Sequence, residues 1–146
     1  MAAREWSRPP PDDRWGKARL AREWAQALAP YVPRPASRAE IELHLRGHLE
    51  SLHDALLAEP VDRAAAVAVG TALIELRLTR PEVLDVTMVV LANALLADLG
   101  LDGVTFSGPL NALLGALAGG YARALADQVR AEHSERSRPG QVPPGP

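Results

Sequence analysis

The sequence has no cysteine among its 146 residues, which excludes disulfide bonds and any thiolate-based metal or redox site. It also lacks an excess of basic residues. Sixteen lysines and arginines stand against 18 aspartates and glutamates, for a formal charge of −2 and a pI near 6.1. That balance gives no electrostatic reason to expect nucleic acid or an anionic membrane surface as a partner.

Targeting and membrane-spanning segments are missing as well. Residues 1–13 contain no apolar core of the kind that a secretory signal needs. The longest uncharged run, residues 103–122, has about the length of a membrane span, but it contains Pro109, Asn111 and five glycines. We therefore expect this run to be a buried helix, and the absence of cysteine is compatible with the cytoplasmic location that we predict.

The chain does contain apolar residues at helical spacing, and no strand pattern interrupts them. The expected helices cover roughly residues 13–29, 38–59, 62–78, 80–99 and 107–136. They make one domain, residues 13–136, between a flexible N-terminal tail at 1–12 and a Pro/Gly-rich tail at 137–146. The predicted fold class is all-α, a single bundle of about five helices with disordered proline-rich ends.

Polar residues at two of the expected helix starts have the spacing of a capping box. Ser37 and Glu40 precede the second helix, and Thr79 and Glu82 precede the fourth. Pro81 would then lie in the first turn of the fourth helix, where its missing N–H does no harm. We expect these four residues to have structural roles.

Three glycines inside the expected helices predict close contacts between helices. Gly70 lies in the middle of the third and most apolar helix, where glycine costs about 1 kcal/mol relative to alanine. A close crossing with another backbone would compensate that cost. Gly115 and Gly119 lie four residues apart on one face of the last helix and predict a second tight contact.

No set of residues predicts catalysis or a resident metal. His44 and His48 have the i, i+4 spacing of metal ligands, but a usable site needs a third ligand, and no His-Glu-x-x-His motif is present. We expect no metal site, no cofactor and no enzymatic activity. Self-association is expected instead, through Val83, Val86 and Val90 on the fourth helix. Trp15 either joins that interface or packs back onto the bundle.

Five segments together resemble a known family region. They are Arg-Glu-Trp-Ala-Gln-Ala-Leu at 22–28, Tyr-Val-Pro and Ser-Arg-Ala-Glu-Ile-Glu within 31–42, Val-Gly-Thr-Ala-Leu at 69–73, Leu-Thr-Arg-Pro-Glu-Val-Leu at 78–84, and Leu-Leu-Gly-Ala-Leu-Ala-Gly-Gly-Tyr-Ala-Arg-Ala-Leu at 113–125. This arrangement resembles the N-terminal helical region of actinobacterial proteins that carry GGDEF and EAL domains, which synthesise or hydrolyse cyclic di-GMP. The resemblance covers roughly residues 20–128.

The resemblance implies a sensory or regulatory input module, with a downstream signalling domain as its protein partner. No GGDEF or EAL motif occurs in the chain, so cyclic di-GMP turnover by the chain itself is not expected. Two alternatives stay open. One is a stand-alone helical dimerisation or interaction protein, a homodimer. The other is a small-ligand or haem-type sensor in which His44, His48 or His53 would be ligands.

Overall fold

A computed structural model describes residues 13–137, with side chains from Gly16 onward. Over these residues the chain forms five α-helices and no strand, which confirms the predicted all-α bundle. The helices are α1 (Asp13–Leu28), α2 (Arg38–Leu57), α3 (Arg63–Glu75), α4 (Pro81–Asp98) and α5 (Gly103–Arg136), with a 3-10 turn at Ala29–Tyr31 after α1. The predicted tails lie outside the described residues, except for Ser137.

Two helix starts are capped by short polar side chains, and one of the two, at Ser37, is predicted in the sequence analysis. The Ser37 hydroxyl accepts a hydrogen bond from the Glu40 backbone N–H at 3.1 Å and caps α2. At α3, the Asp62 carboxylate accepts from the Ala65 N–H at 3.3 Å. The Glu40 carboxylate does not return a bond to the Ser37 backbone among the described residues, so Ser37 acts as a simple N-cap and Glu40 adds favourable charge in the first turn.

The predicted capping box of α4 is wrong. Arg80, not Thr79, is the residue that precedes the helix, and no side chain caps it. Pro81 occupies one of the first two helical positions and favours extended backbone at Arg80, which has φ −77° and ψ 140°. This moves the start of the helix one residue past Thr79, so Glu82 is out of register for a capping box.

The last helix begins four residues earlier than predicted. Asp102 caps it, because its carboxylate accepts from the Thr105 backbone N–H at 3.1 Å and from the Thr105 hydroxyl at 2.6 Å. The hydroxyl bond of Thr105, the larger cause, and its backbone bond together lower the pKa of Asp102. Pro109 therefore lies inside α5 instead of in its first turn.

Gly70 makes the close crossing that the sequence predicts. A Cβ placed at Gly70 would collide with the Leu117 carbonyl oxygen and lie 2.6 Å from the Tyr121 backbone nitrogen. From the other side, a Cβ at Gly120 would collide with the Val67 carbonyl oxygen and lie 2.8 Å from its Cα. The backbones of α3 and α5 therefore touch at Gly70 and Gly120.

The contact predicted at Gly115 and Gly119 is absent. Apart from neighbouring atoms of α5 itself, no heavy atom of the described residues lies within 4 Å of a Cβ placed at either glycine, and both residues are exposed. Gly120 makes the contact instead. One residue along a helix turns the side-chain direction by about 100°, so Gly119 points away from α3 when Gly120 faces it.

A contiguous apolar core lies between the five helices. The buried positions of α4 are Val83, Thr87, Leu91 and Leu95, which recur every four residues. Val83 is fully buried, so its predicted role at a subunit interface is wrong. Val83 lies eight residues before Leu91 and therefore on the same face of α4. The polar residue Thr87 between them interrupts this apolar stripe, so the stripe is not apparent in the sequence.

Candidate functional site

Tyr121 joins α5 to the connection between α3 and α4. Its side chain is only 2% exposed. The phenolic oxygen lies 2.7 Å from the Leu78 carbonyl oxygen and 3.0 Å from that of Arg80. The single hydroxyl proton is shared between these two carbonyls, and we call the three residues the Tyr121 latch. This bifurcated contact is the only hydrogen bonding between α5 and residues 76–80 in the described part of the chain.

Burial, and secondly the nearby Glu82 carboxylate, raise the pKa of Tyr121 to about 12. Both effects disfavour the phenolate, because a buried anion loses hydration and is repelled by a second negative charge. The hydroxyl therefore stays protonated at neutral pH and can donate to the latch.

The connection that Tyr121 holds has an unusual backbone. Arg77 has φ 65°, in the left-handed region that glycine normally occupies. Its N–H donates to the Ile74 carbonyl at 2.9 Å, and the Leu78 N–H donates to the Leu73 carbonyl at 3.1 Å. These two bonds form the helix-ending pattern in which glycine is most common at the position of Arg77. An arginine there costs conformational energy that a glycine would not.

Contacts extend from this connection to the far end of α1. The Arg80 guanidinium lies 5.6 Å from the centroid of the Tyr31 ring, in cation–π geometry. Its Nε is also 3.6 Å from the Glu82 carboxylate. Arg80 therefore connects the Tyr121 latch with the 3-10 turn that follows α1.

The C-terminal part of α5 leaves the bundle. No residue of α5 beyond Tyr121 is buried, and Ala124, Leu125 and Gln128 are half-buried. From Val129 to Ser137 every residue is exposed, with 56% of Val129 accessible. This segment is helical without being packed against the described part of the protein.

The three histidines of α2 do not come together at one site. His44 is exposed, His48 is half-buried and His53 is buried. Burial, and secondly the neighbouring His44, lower the pKa of His48, whose Nε2 has no hydrogen-bond partner among the described residues. In residues 13–137, no group of three or more histidine, cysteine, aspartate or glutamate side chains could hold a metal ion.

The predicted interface on α4 is partly accessible. Val86 and Val90 are half-buried, and Val89 between them is 60% exposed. Val89 was not predicted, although it lies three residues after Val86 on the same side of the helix. The side chain of Trp15 lies outside the described part of the chain. Within that part, no helix is both long and apolar enough to cross a membrane.

Sequence reasoning also missed one buried polar pair. The Trp24 indole N–H donates to the Thr87 hydroxyl at 3.0 Å, and both side chains are fully buried. The only signal in the sequence was a threonine at a position where the four-residue spacing of α4 expects an apolar residue.

Comparison with known proteins gives no match to a protein-family model, to a curated protein or to a solved structure. Function is therefore proposed from the contacts of this chain and from the sequence resemblance described above.

Proposed function

We propose that the chain is a non-catalytic helical regulatory module and that α5 is its output element. The observation that carries the proposal is the division of α5 into two parts. Its first part packs against α3 at Gly70 and Gly120, whereas residues 129–137 extend without a packing partner among the residues that the structure describes. A helix that is anchored in a bundle at one end and free at the other is suited to relay a change in the bundle.

The contacts of α5 favour such a change. Among the described residues, no hydrogen bond or ion pair joins α3 to α5, and the Tyr121 latch ties α5 only to the connection after α3. Apolar contacts are not directional, so a displacement of α5 against α3 breaks no polar contact except the latch, but it must also separate the backbones that touch at Gly70 and Gly120. Relay requires two such arrangements with different affinity for a ligand or a partner.

The resemblance to the helical region upstream of GGDEF and EAL domains supports the same role. On the basis of this resemblance, the proposed partner of α5 is a downstream signalling domain, and the proposed regulated process is cyclic di-GMP metabolism. The chain contains neither of the motifs that carry those two activities, so we propose that it regulates this turnover without performing it.

A fusion experiment tests the output role. Residues 1–136 replace the helical region of a multidomain cyclic di-GMP protein, joined in helical register to its downstream domains. Tyr121→Phe removes the hydroxyl of the latch, and Leu117→Ala truncates a fully buried residue of α5. Both variants should change cyclic di-GMP output, whereas the exposed control Arg130→Gln should leave it as in the unmodified fusion.

Insertions after Arg136 separate a relay from a passive linker. Two inserted residues rotate the downstream domains by about 200° relative to α5, while seven residues restore the phase to within about 20°. A relay through α5 predicts altered output with two residues and retained output with seven. If intact, mutated and deleted modules all give equal output, the regulatory proposal is wrong.

A stand-alone dimerisation protein is a second candidate, supported by the accessible valines of α4. Val86, Val89 and Val90 form an apolar ridge on one side of that helix. We expect light scattering to report a dimer at tens of micromolar, and Val89→Lys to convert it to a monomer. Leu43→Lys is the matched control, because Leu43 is 73% exposed on a different helix. A monomeric parent chain would contradict this candidate.

A further inference from the structure

A half-enclosed cavity lies where the connection after α1 meets the start of α2. Its volume is about 210 Å³. Ala25, Ala29, Val32 and Ile41 provide apolar walls, and Arg34 and Arg38 also line it. The cavity therefore combines an apolar interior with two arginines that lie four residues apart in the chain.

Among the described residues, no carboxylate lies within 4.0 Å of Arg34 or Arg38, so neither arginine forms an ion pair in that part of the chain. Guanidinium groups bind carboxylates and phosphates through paired, charge-assisted hydrogen bonds. Two free guanidinium groups beside an apolar cavity are suited to a ligand with an anionic end and an apolar body.

A second groove adjoins the first and shares Arg34. It is lined by Pro33, Arg34, Pro35 and Arg77 together with Glu75, the one acidic residue there. Arg77, the residue held in the left-handed conformation, also lines this groove. The groove therefore has two arginines and one acidic residue in its lining.

We propose that the cavity between Arg34 and Arg38 binds a small organic anion. The apolar body enters between Ala25, Ala29, Val32 and Ile41, and a phosphate or carboxylate group pairs with the two guanidinium groups. An apolar cavity of about 150 Å³ is large enough for benzene, so this cavity accommodates a single ring. The inference goes beyond the output role of α5, because binding is a property of the chain alone.

Phenyl phosphate is the probe that tests the site. It is titrated into the full chain while backbone amide signals are followed by NMR, with inorganic phosphate and benzyl alcohol as probes of the charge and the ring separately. We expect saturable shifts centred on Ala29, Val32 and Ile41, and an affinity at least tenfold higher than for either partial probe. Benzoate distinguishes the headgroups, since a carboxylate site binds it as tightly as phenyl phosphate and a phosphate site binds it more weakly.

Matched variants assign the binding to the cavity. Arg34→Gln and Arg38→Gln should each weaken phenyl phosphate binding about tenfold or more, as expected for loss of a charge-assisted pair. Arg46→Gln is the control, because Arg46 is exposed on the same helix but does not line the cavity. Ala29→Leu fills the cavity from an exposed position and should reduce phenyl phosphate binding without changing that of inorganic phosphate.

Three results would overturn the proposal. They are equal affinity of Arg34→Gln and Arg46→Gln, equal affinity for phenyl phosphate and inorganic phosphate, or shifts centred away from the cavity. None of them bears on the fusion experiment, so failure here leaves the proposed output role of α5 standing.

Discussion

Two helix crossings in this bundle bring backbones together at a glycine, but they are held in different ways. Where α1 meets α4, a Cβ at Gly16 would collide with the Asp98 carbonyl oxygen. Polar contacts secure the same pair of helices, since Trp24 donates to Thr87 at 3.0 Å and Arg19 lies 2.7 Å from the Asp98 carboxylate. At the crossing of α3 and α5, Gly70 and Gly120 provide the close approach and no polar side-chain contact joins the helices in the described residues.

The two crossings should therefore respond differently when their helices are displaced. A shift between α1 and α4 would leave the buried Trp24 N–H without an acceptor, which is costly inside a protein. A shift between α3 and α5 would exchange one set of apolar contacts for another, provided the backbones can still pass. We therefore expect α1 and α4 to keep their register, and α5 to be the element that can move.

The largest expected effect comes from adding one methyl group at the α3–α5 crossing. Gly70→Ala and Gly120→Ala each place a Cβ against backbone atoms of the other helix, so each should destabilise the protein by about 3 kcal/mol despite better helix propensity. Gly115→Ala and Gly119→Ala meet nothing within 4 Å and should stabilise it by up to about 1 kcal/mol. Urea denaturation measures all four, and loss of stability in the second pair would contradict this assignment of the crossing.

Titration of Tyr121 should destabilise the fold at alkaline pH. Below pH 10 the folded and unfolded chains both keep this proton, while between pH 10 and about 12 only the folded chain keeps it. The free energy of unfolding should therefore fall with rising pH, by about 2–3 kcal/mol over the whole interval. Tyr121→Phe is the control, since it cannot ionise there. Denaturation at several pH values should show a steeper fall for the parent chain, and equal slopes would refute the assignment.

At the α1–α4 crossing, loss of the hydrogen bond between Trp24 and Thr87 should lower the free energy of unfolding by more than loss of an average hydrogen bond does. Thr87→Val keeps the shape of the side chain but leaves a fully buried indole N–H without an acceptor, which should cost about 2 kcal/mol. Thr71→Val on α3 makes the same chemical change at a half-buried site whose hydroxyl has no hydrogen bond to any described residue, and it should be nearly neutral. A similar loss of stability in both variants would show that the buried hydrogen bond does not hold α1 and α4 together.

The smallest effect is expected from the surface ion pair of the same crossing. The Arg19 side chain is 63% exposed, so Arg19→Gln should cost less than about 1 kcal/mol and the loss should shrink in high salt. Thermal unfolding at low and high ionic strength measures this. A cost as large as that of Thr87→Val would place the main polar restraint at Asp98 instead of at Trp24.

Local chemistry made several features of the fold predictable. Ser37 and Asp62 cap helices because short polar side chains can accept from the free N–H groups of the first turn. Gly100 ends α4 with φ 70°, as a glycine readily does. Gly70 was predicted at a crossing because nothing else explains a glycine within so apolar a helix. Each of these features depends on residues within a few positions of one another in the chain.

Features that depend on which helix faces which were not predictable in this way. The position of Gly120, rather than Gly119, at the crossing depends on the rotation of α5 about its own axis, and one residue changes that face by about 100°. Val83 was predicted at a subunit interface, but it lies on the buried face of α4 together with Thr87, and the indole of Trp24, 63 residues away in the chain, provides the hydrogen-bond partner that makes a threonine acceptable in the core. The proposed anion site likewise forms only when the fold brings Arg34 and Arg38 beside the apolar side chains of α1 and α2.

Helix content, the starts of α2 and α3 and the need for one close crossing thus follow from spacing and capping chemistry, which act over a few residues. The partners of Gly70, Thr87 and Tyr121 lie more than 40 residues away along the chain. Periodicity shows that a face is apolar, but it carries no information about which other face will cover it. Those pairings were decided when five helices packed around one core, because backbone clearance and the hydrogen-bonding needs of buried groups must be met at the same time.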